Sequence, residues 1–483
     1  MGAGRYAGAV SVQEAIEALG ELLGDRLSTS DSVRDLHGRD ESSFPPAPPD
    51  AVAFPRSTEE VAAIVRTCAE HGVPVVAFGT GSSLEGHVLA VEGGVAVDTS
   101  LMDAILRLSI EDLDVTLQPG VTRTALEKRV GGEGAFFSVD PGADASLGGM
   151  AATGASGTNT VRYGTMRENV LALEVVLADG CVIRTGTRAR KSSAGYDLTH
   201  LFIGSEGTLG IITELTLRLR PIPEAISAAV CSFLSTADAV ATAIGIVQSG
   251  VPIARCELLD ATMMAAVNAH AGLEHAEAPT LFLEFHGSPA GVEEDARYVE
   301  ELAREQGGGD FAWATRSEDR SRLWRARHNA YFAGIGLRPG CRAVTTDVCV
   351  PVSELAATID ATIADLGTLP FPAPLLGHVA DGNFHVMLLV DPGDPADRQA
   401  ADAVYERMVD RAITAGGTCT GEHGVGLGKR RALGEQSGEA VEVMRALKAA
   451  LDPGDLLNPG KVLPEAKGSV QEDPADRIPP ALP

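Results

Sequence analysis

The chain lacks the marks of several functions. None of its seven cysteines (68, 181, 231, 256, 341, 349 and 419) forms a C-x-x-C pair, so neither a zinc ribbon nor a bound iron–sulfur cluster is expected. An odd, scattered set points to reduced thiols and a cytoplasmic setting. Positive charge is scarce: 39 Lys and Arg against 66 Asp and Glu leave a net charge of −27, which argues against nucleic acid or an anionic membrane as partner. No apolar run reaches the roughly 18 residues that a spanning helix needs, so contact with a membrane would be peripheral. Ser11 to Gly24 mixes acidic and apolar residues and does not read as a signal peptide. No internal repeat stands out. What is present is a 483-residue chain, 45% hydrophobic, long enough for two or three domains with separate cores.

Ser11 with Glu14 reads as a capping box opening a helix to about Gly24, and Pro45-Pro46-Ala47-Pro48-Pro49 as an extended linker. Ser57 with Glu60 opens a second helix whose apolar face is Val61, Ile64, Val65 and Cys68, stopped at Gly72. The strand Val73 to Phe78 leads into Gly79-Thr80-Gly81-Ser82-Ser83-Leu84-Glu85-Gly86. Its glycines and hydroxyls can turn donors toward one anion. No Lys follows, and Leu84 replaces the third glycine of a dinucleotide fingerprint, so it is neither a Walker loop nor a clear Rossmann turn. Strands are expected at 93–98, 113–118, 171–177 and 181–185. Between them, Val139 to Met166 is rich in Gly, Ser and Thr and poor in bulky side chains. That composition suits a backbone laid against a flat polar cofactor, or else a long ordered surface loop. A second Gly-rich turn, Gly204 to Ile212, precedes the strand Thr213 to Arg220, and Pro221 and Pro223 mark a boundary.

From 224 to about 390 strands near 228–234, 253–258, 280–286, 345–350 and 384–390 alternate with helices near 236–249, 260–270, 290–306, 318–332 and 353–366. The pattern predicts an α+β layer with helices on one face of an antiparallel sheet. On the helix around Leu323 to Tyr331, Trp324, Arg327 and Tyr331 share a face. Arg327 is either a fork for a carboxylate or a solvated helix charge. In Gly377-His378-Val379-Ala380-Asp381-Gly382-Asn383-Phe384-His385, Asp381-Gly382 reads as a two-residue hairpin turn. That turn would place His378 opposite His385, about 5 Å apart. The two imidazoles are either core histidines or, with Glu422 of Gly421-Glu422-His423-Gly424, three ligands of a catalytic metal. Helices are expected at 395–415 and 438–451.

Taken together, Leu323 to Ala330, Thr346-Asp347-Val348-Cys349-Val350-Pro351, Gly377 to His385, Gly417 to Gly424 and Asn458 to Lys461 resemble the FAD-dependent D-2-hydroxy-acid dehydrogenases. That branch belongs to the superfamily of vanillyl-alcohol oxidase and para-cresol methylhydroxylase, and the motifs look most like its cytochrome-linked D-lactate dehydrogenases. Ala380 departs from the glycine usual there. The resemblance implies a two-lobed FAD-binding domain over 50–223 after an N-terminal helix and linker (1–49), and a substrate- and metal-binding α+β cap over 224–425. It also implies a segment closing over FAD at 426–464; the Pro-rich tail, 465–483, is expected to be disordered.

The resemblance further implies that Gly79, Thr80, Gly81, Ser82 and Ser83 wrap the FAD pyrophosphate. Pro141, Gly142, Gly148, Gly149, Thr153, Ser156, Gly157, Thr158 and Gly164 would line the flavin, with Glu206, Gly207, Gly210 and Ile212 on the adenine and ribose side. Asn458 would close over it. FAD is expected to be non-covalent, although His87 lies past the pyrophosphate loop. His378, His385 and Glu422 would hold a divalent metal, zinc or manganese, with His423 as base and Arg327 on the substrate carboxylate. The implied reaction oxidises a D-2-hydroxy acid, D-lactate first, to the 2-oxo acid by hydride transfer to flavin. D-2-hydroxyglutarate and glycolate remain alternatives. The electron acceptor is open: a cytochrome, a quinone, a separate redox protein or O₂. Rival classes are a flavin-free metallohydrolase and an FAD-binding protein without catalysis.

Overall fold

A computed structural model describes residues 4–465; the expected disordered tail lies almost wholly outside the described residues. Three larger sheets organise the described residues, beside a two-stranded one that pairs Ala135–Phe136 with Arg220–Pro221. The first holds Leu27–Ser28, Ala51–Ala53, Val95–Asp98 and Val75–Phe78 in that order, the last three parallel. Helices Gly4–Leu23 and Thr58–His71 cover it, and Ala15, Leu19, Val61, Ile64, Val65 and Cys68 form the shared core. Ser57 Oγ accepts the Glu60 amide and Gly72 ends the second helix at φ +62°. Ser11 is no cap, because the first helix already runs from Gly4. The second sheet is antiparallel, in the order Ile105–Ser109, Asp114–Leu117, Ile211–Arg218, Val170–Val176, Val182–Gly186.

The third sheet is antiparallel: Ala312–Ala314, Ala225–Ser232, Thr280–Gly287, Ile253–Leu259, Leu375–Gly377, Asn383–Val390 and Arg342–Thr345, with Val348–Cys349 also on Asn383–Val390. Helices cover both its faces, not one as expected. Thr236–Gln248, Pro289–Glu305, Leu355–Leu366 and Pro395–Thr414 pack on one side, Ala261–Ala271, Ser317–His328 and Ala330–Ile335 on the other. Every residue of Asn383–Val390 is therefore buried. The helix expected over 318–332 breaks at Asn329.

The hairpin differs from its expected form. Val379–Asp381 make a 3₁₀ turn, Gly382 follows at φ +80°, and His385 pairs with Leu376. His378 thus leaves the ladder, yet the turn swings its ring to 5.6 Å from that of His385. The chain then forms helix Arg430–Ser437, not anticipated, and Ala440–Leu451. Finally it returns to the first sheet, where Leu457 bridges Val75 in parallel.

Candidate active site

Between the first two sheets and the cap lies a cavity of about 500 Å³. Gly79, Thr80, Gly81, Ser82 and Ser83 line it from the loop after Val75–Phe78. Pro141, Gly142, Gly148, Gly149, Thr153, Ser156, Gly157 and Thr158 form a second wall, and Glu206, Gly207, Gly210, Ile212 and Asn458 complete it. Gly157 must be glycine here: a Cβ would sit 2.5 Å from the backbone of Asp140, whose carboxylate anchors this wall by accepting from Thr158 Oγ1 and the Asn159 amide. The elongated, Gly-lined surface with hydroxyl donors fits a dinucleotide cofactor on the chemistry of its walls.

Two residues depart from expectation. Gly164 does not line the cavity; it caps the short helix Thr160–Tyr163 at φ +79°, against Glu168. Glu206 lines the cavity, but its carboxylate is already engaged by protein groups. It accepts the amides of Val425 (2.6 Å) and Gly426 (2.8 Å) and pairs with His87 Nε2 (3.1 Å).

At the cap end, His378 Nε2 and His385 Nε2 lie 3.3 and 3.1 Å from Glu422 Oε1. His378 Nδ1 is held by Glu257 Oε1 at 2.7 Å, and His385 Nδ1 by the Thr346 carbonyl at 3.0 Å. With both Nδ1 atoms engaged, both Nε2 atoms converge on Glu422 Oε1. Burial opposes charge on His378, but Glu257 and Glu422 outweigh it and hold its pKa well above the ordinary value. The site is therefore one that favours added positive charge. Two oriented imidazoles and a carboxylate oxygen fit a divalent cation; mixed N and O donors suit zinc or manganese.

His423 stacks on His385, centroids 5.0 Å apart and planes 15° apart. Its Nδ1 is buried without a hydrogen-bond partner among the described residues, and burial pushes its pKa down to about 4. It is a neutral imidazole, competent as a proton acceptor. Arg327 is buried, unlike the exposed Arg322 and Arg325, so it is no solvated helix charge. Its Nη2 meets Glu257 Oε2 at 2.6 Å, while its buried Nε has no partner among the described residues. Trp324 does not frame it; that ring stacks on Arg255 at 4.6 Å. Arg327, His328, Tyr331, Phe332, Leu376 and Met387 line the cavity beside the histidines.

Glu257, absent from the sequence reading, joins His378 to Arg327 through its two oxygens. A lone carboxylate within the apolar strand Ile253–Leu259 was its signal. Lys429, buried between Glu85 (3.0 Å) and Asp347 (3.4 Å), was also missed.

Residues 49–186 match the family model "FAD binding domain" and 222–462 the model "FAD linked oxidases, C-terminal domain". A Danio rerio protein named "Probable D-lactate dehydrogenase, mitochondrial" is 54% identical over 94% of this chain and 92% of its own length. An Arabidopsis thaliana protein named "D-lactate dehydrogenase [cytochrome], mitochondrial" is 45% identical over 94% of this chain and 80% of its own. The fold matches that of p-cresol methylhydroxylase with a TM-score of 0.76 at 19% identity, covering 94% and 97% of the two chains. These findings argue against the flavin-free hydrolase and the non-catalytic scaffold. They also correct the cytoplasmic assignment, since both relatives are mitochondrial. All seven cysteines are free, but reduced thiols alone do not single out the cytosol. Among the described residues no helix is long and apolar enough to cross a membrane. With both family models matched in order along it, the chain belongs to the FAD-linked oxidases, in the branch of FAD-dependent D-2-hydroxy-acid dehydrogenases that includes the cytochrome-linked D-lactate dehydrogenases.

Proposed function

We propose that this protein oxidises D-lactate to the 2-oxo acid. FAD would accept the hydride, and a divalent cation held by His378, His385 and Glu422 would acidify the substrate hydroxyl. The observation that carries this reading is the opening of that donor set, with neutral His423 beside it, into the same cavity as the Gly79–Ser83 loop. His423 takes the hydroxyl proton, a role typically worth about 10²–10⁴-fold. Arg327, which lines the cavity and is held by Glu257 through Nη2, binds the substrate carboxylate and so fixes which face of Cα meets the flavin.

Side-chain chemistry favours D-lactate over D-2-hydroxyglutarate. Leu376, Met387 and Phe332 supply apolar wall, and Arg327 is the only Lys or Arg lining the cavity among the described residues. A second substrate carboxylate would be buried without a cation, which is strongly disfavoured. Anaerobic bleaching of the flavin by a panel of D- and L-2-hydroxy acids tests the reading. D-lactate is expected to bleach it, with L-lactate and D-2-hydroxyglutarate far slower. Bleaching by D-2-hydroxyglutarate as fast as by D-lactate would overturn the substrate assignment.

A further inference from the structure

The loop carrying Glu422 and His423 is gripped from two sides by buried carboxylates. From the cap, Asp347 Oδ2 accepts the successive amides of Gly421 (2.8 Å), Glu422 (3.0 Å) and His423 (3.0 Å), together with Thr420 Oγ1 (2.7 Å). Its Oδ1 accepts from Asn383 Nδ2 (2.8 Å), and Asn383 is the strand partner of Cys349. From the flavin-binding half, Glu206 accepts the next free amides, Val425 and Gly426, one on each oxygen. Gly424 between the two grips has φ +81°, and a Cβ there would lie 2.7 Å from both Glu206 Oε1 and His87 Nε2. Lys429 closes the arrangement by pairing Asp347 with Glu85, a residue of the Gly-rich loop. Asp347 is fully buried and does not line the cavity; it reaches the site through the loop and through His385, whose Nδ1 lies 3.7 Å from its Oδ1.

We propose that Asp347 and Glu206 are paired positioning residues that key the Gly421–Gly426 loop to both halves of the protein, so that the placement of Glu422 and His423 depends on the two halves being docked. The importance of that loop rests on the reading above; the keying itself does not. Five amides within the six residues Gly421–Gly426 meet two carboxylates, with Gly424 between the two sets. Removing one carboxylate releases its own amides and, through this short tether, loosens those held by the other.

Hydrogen exchange on peptides spanning 420–427 of the FAD-loaded protein tests this without substrate, so failure of the D-lactate reading leaves the result intact. In the unaltered protein the five amides are expected to be protected and to open together. Glu206→Gln is expected to raise exchange at Gly421, Glu422 and His423 about tenfold, with the bound-flavin spectrum retained. Asp347→Asn, nearly isosteric, is expected to do the same at Val425 and Gly426. With D-lactate, each variant is expected to lower kcat with little change in KM, and the double variant to be scarcely worse than either single one. Exchange confined to each carboxylate's own amides, additive kinetic effects, or loss of flavin in Glu206→Gln would overturn the proposal.

Discussion

His385 and His423 lie face to face, one a candidate ligand and the other the candidate base, their ring planes within 15°. The stack fixes the orientation of His423 without engaging its Nδ1. His423→Ala is expected to lower kcat by about 10²–10⁴-fold while flavin content is unchanged. Stopped-flow flavin reduction measures this, and near-normal reduction would remove His423 from the chemistry.

Stripping the cation with a strong chelator is expected to stop turnover and leave the flavin absorbance intact. Zinc or manganese should restore activity. His378→Ala should resist restoration, because it removes one of two imidazoles and leaves Glu257 Oε1 without its hydrogen-bond partner. Full activity in demonstrably metal-free protein would refute the role.

Arg327→Lys keeps the charge but loses the planar fork that serves Glu257 and the substrate together. Loss of one charged hydrogen bond, about 1.5–3 kcal/mol, corresponds to about 10- to 100-fold in kcat/KM. Steady-state kinetics should place most of it in KM.

Asp260 supplies a pH-dependent stability test away from the chemistry. It caps helix Ala261–Ala271 by accepting the Met263 amide at 2.7 Å, and burial pushes its pKa up to about 6. Between about pH 4 and 6 the folded protein holds a proton that the unfolded chain has released. The contribution of Asp260 to stability is therefore greatest in acid, falls across that window and stays low above it. Asp260→Asn retains a capping oxygen without the charge. Calorimetry at pH 8 should show a higher Tm for the variant, and the difference should shrink toward pH 5.

The sequence reading went furthest where chemistry is written in neighbouring residues. The Gly79–Ser83 loop, the 139–166 segment and the His378, His385, Glu422 and His423 group all come to one cavity. The histidine pair was expected from a two-residue turn that does not form; the hairpin closes instead through a 3₁₀ turn at Val379–Asp381, which brings the rings together all the same. Glu257 stayed hidden because its partners lie 70 and 121 residues further along, a separation no local pattern records. Two-sided helix coverage was legible in retrospect: Phe384 to Val390 is apolar or histidine throughout, the mark of a strand buried on both faces. Gly164 shows the opposite error, since a glycine in a cofactor-rich stretch was serving a helix end.

The strap formed by Leu456 to Asn458 has a consequence for biogenesis. Val75 exchanges hydrogen bonds with Leu456 and Asn458, and Asn458 Nδ2 bonds the carbonyls of His87 and Glu206. The edge of the first sheet is thus finished by a strap that follows both the flavin-binding and the cap segments along the chain. A nascent chain therefore holds that edge open until synthesis passes residue 458, and stable capture of flavin waits for the strap.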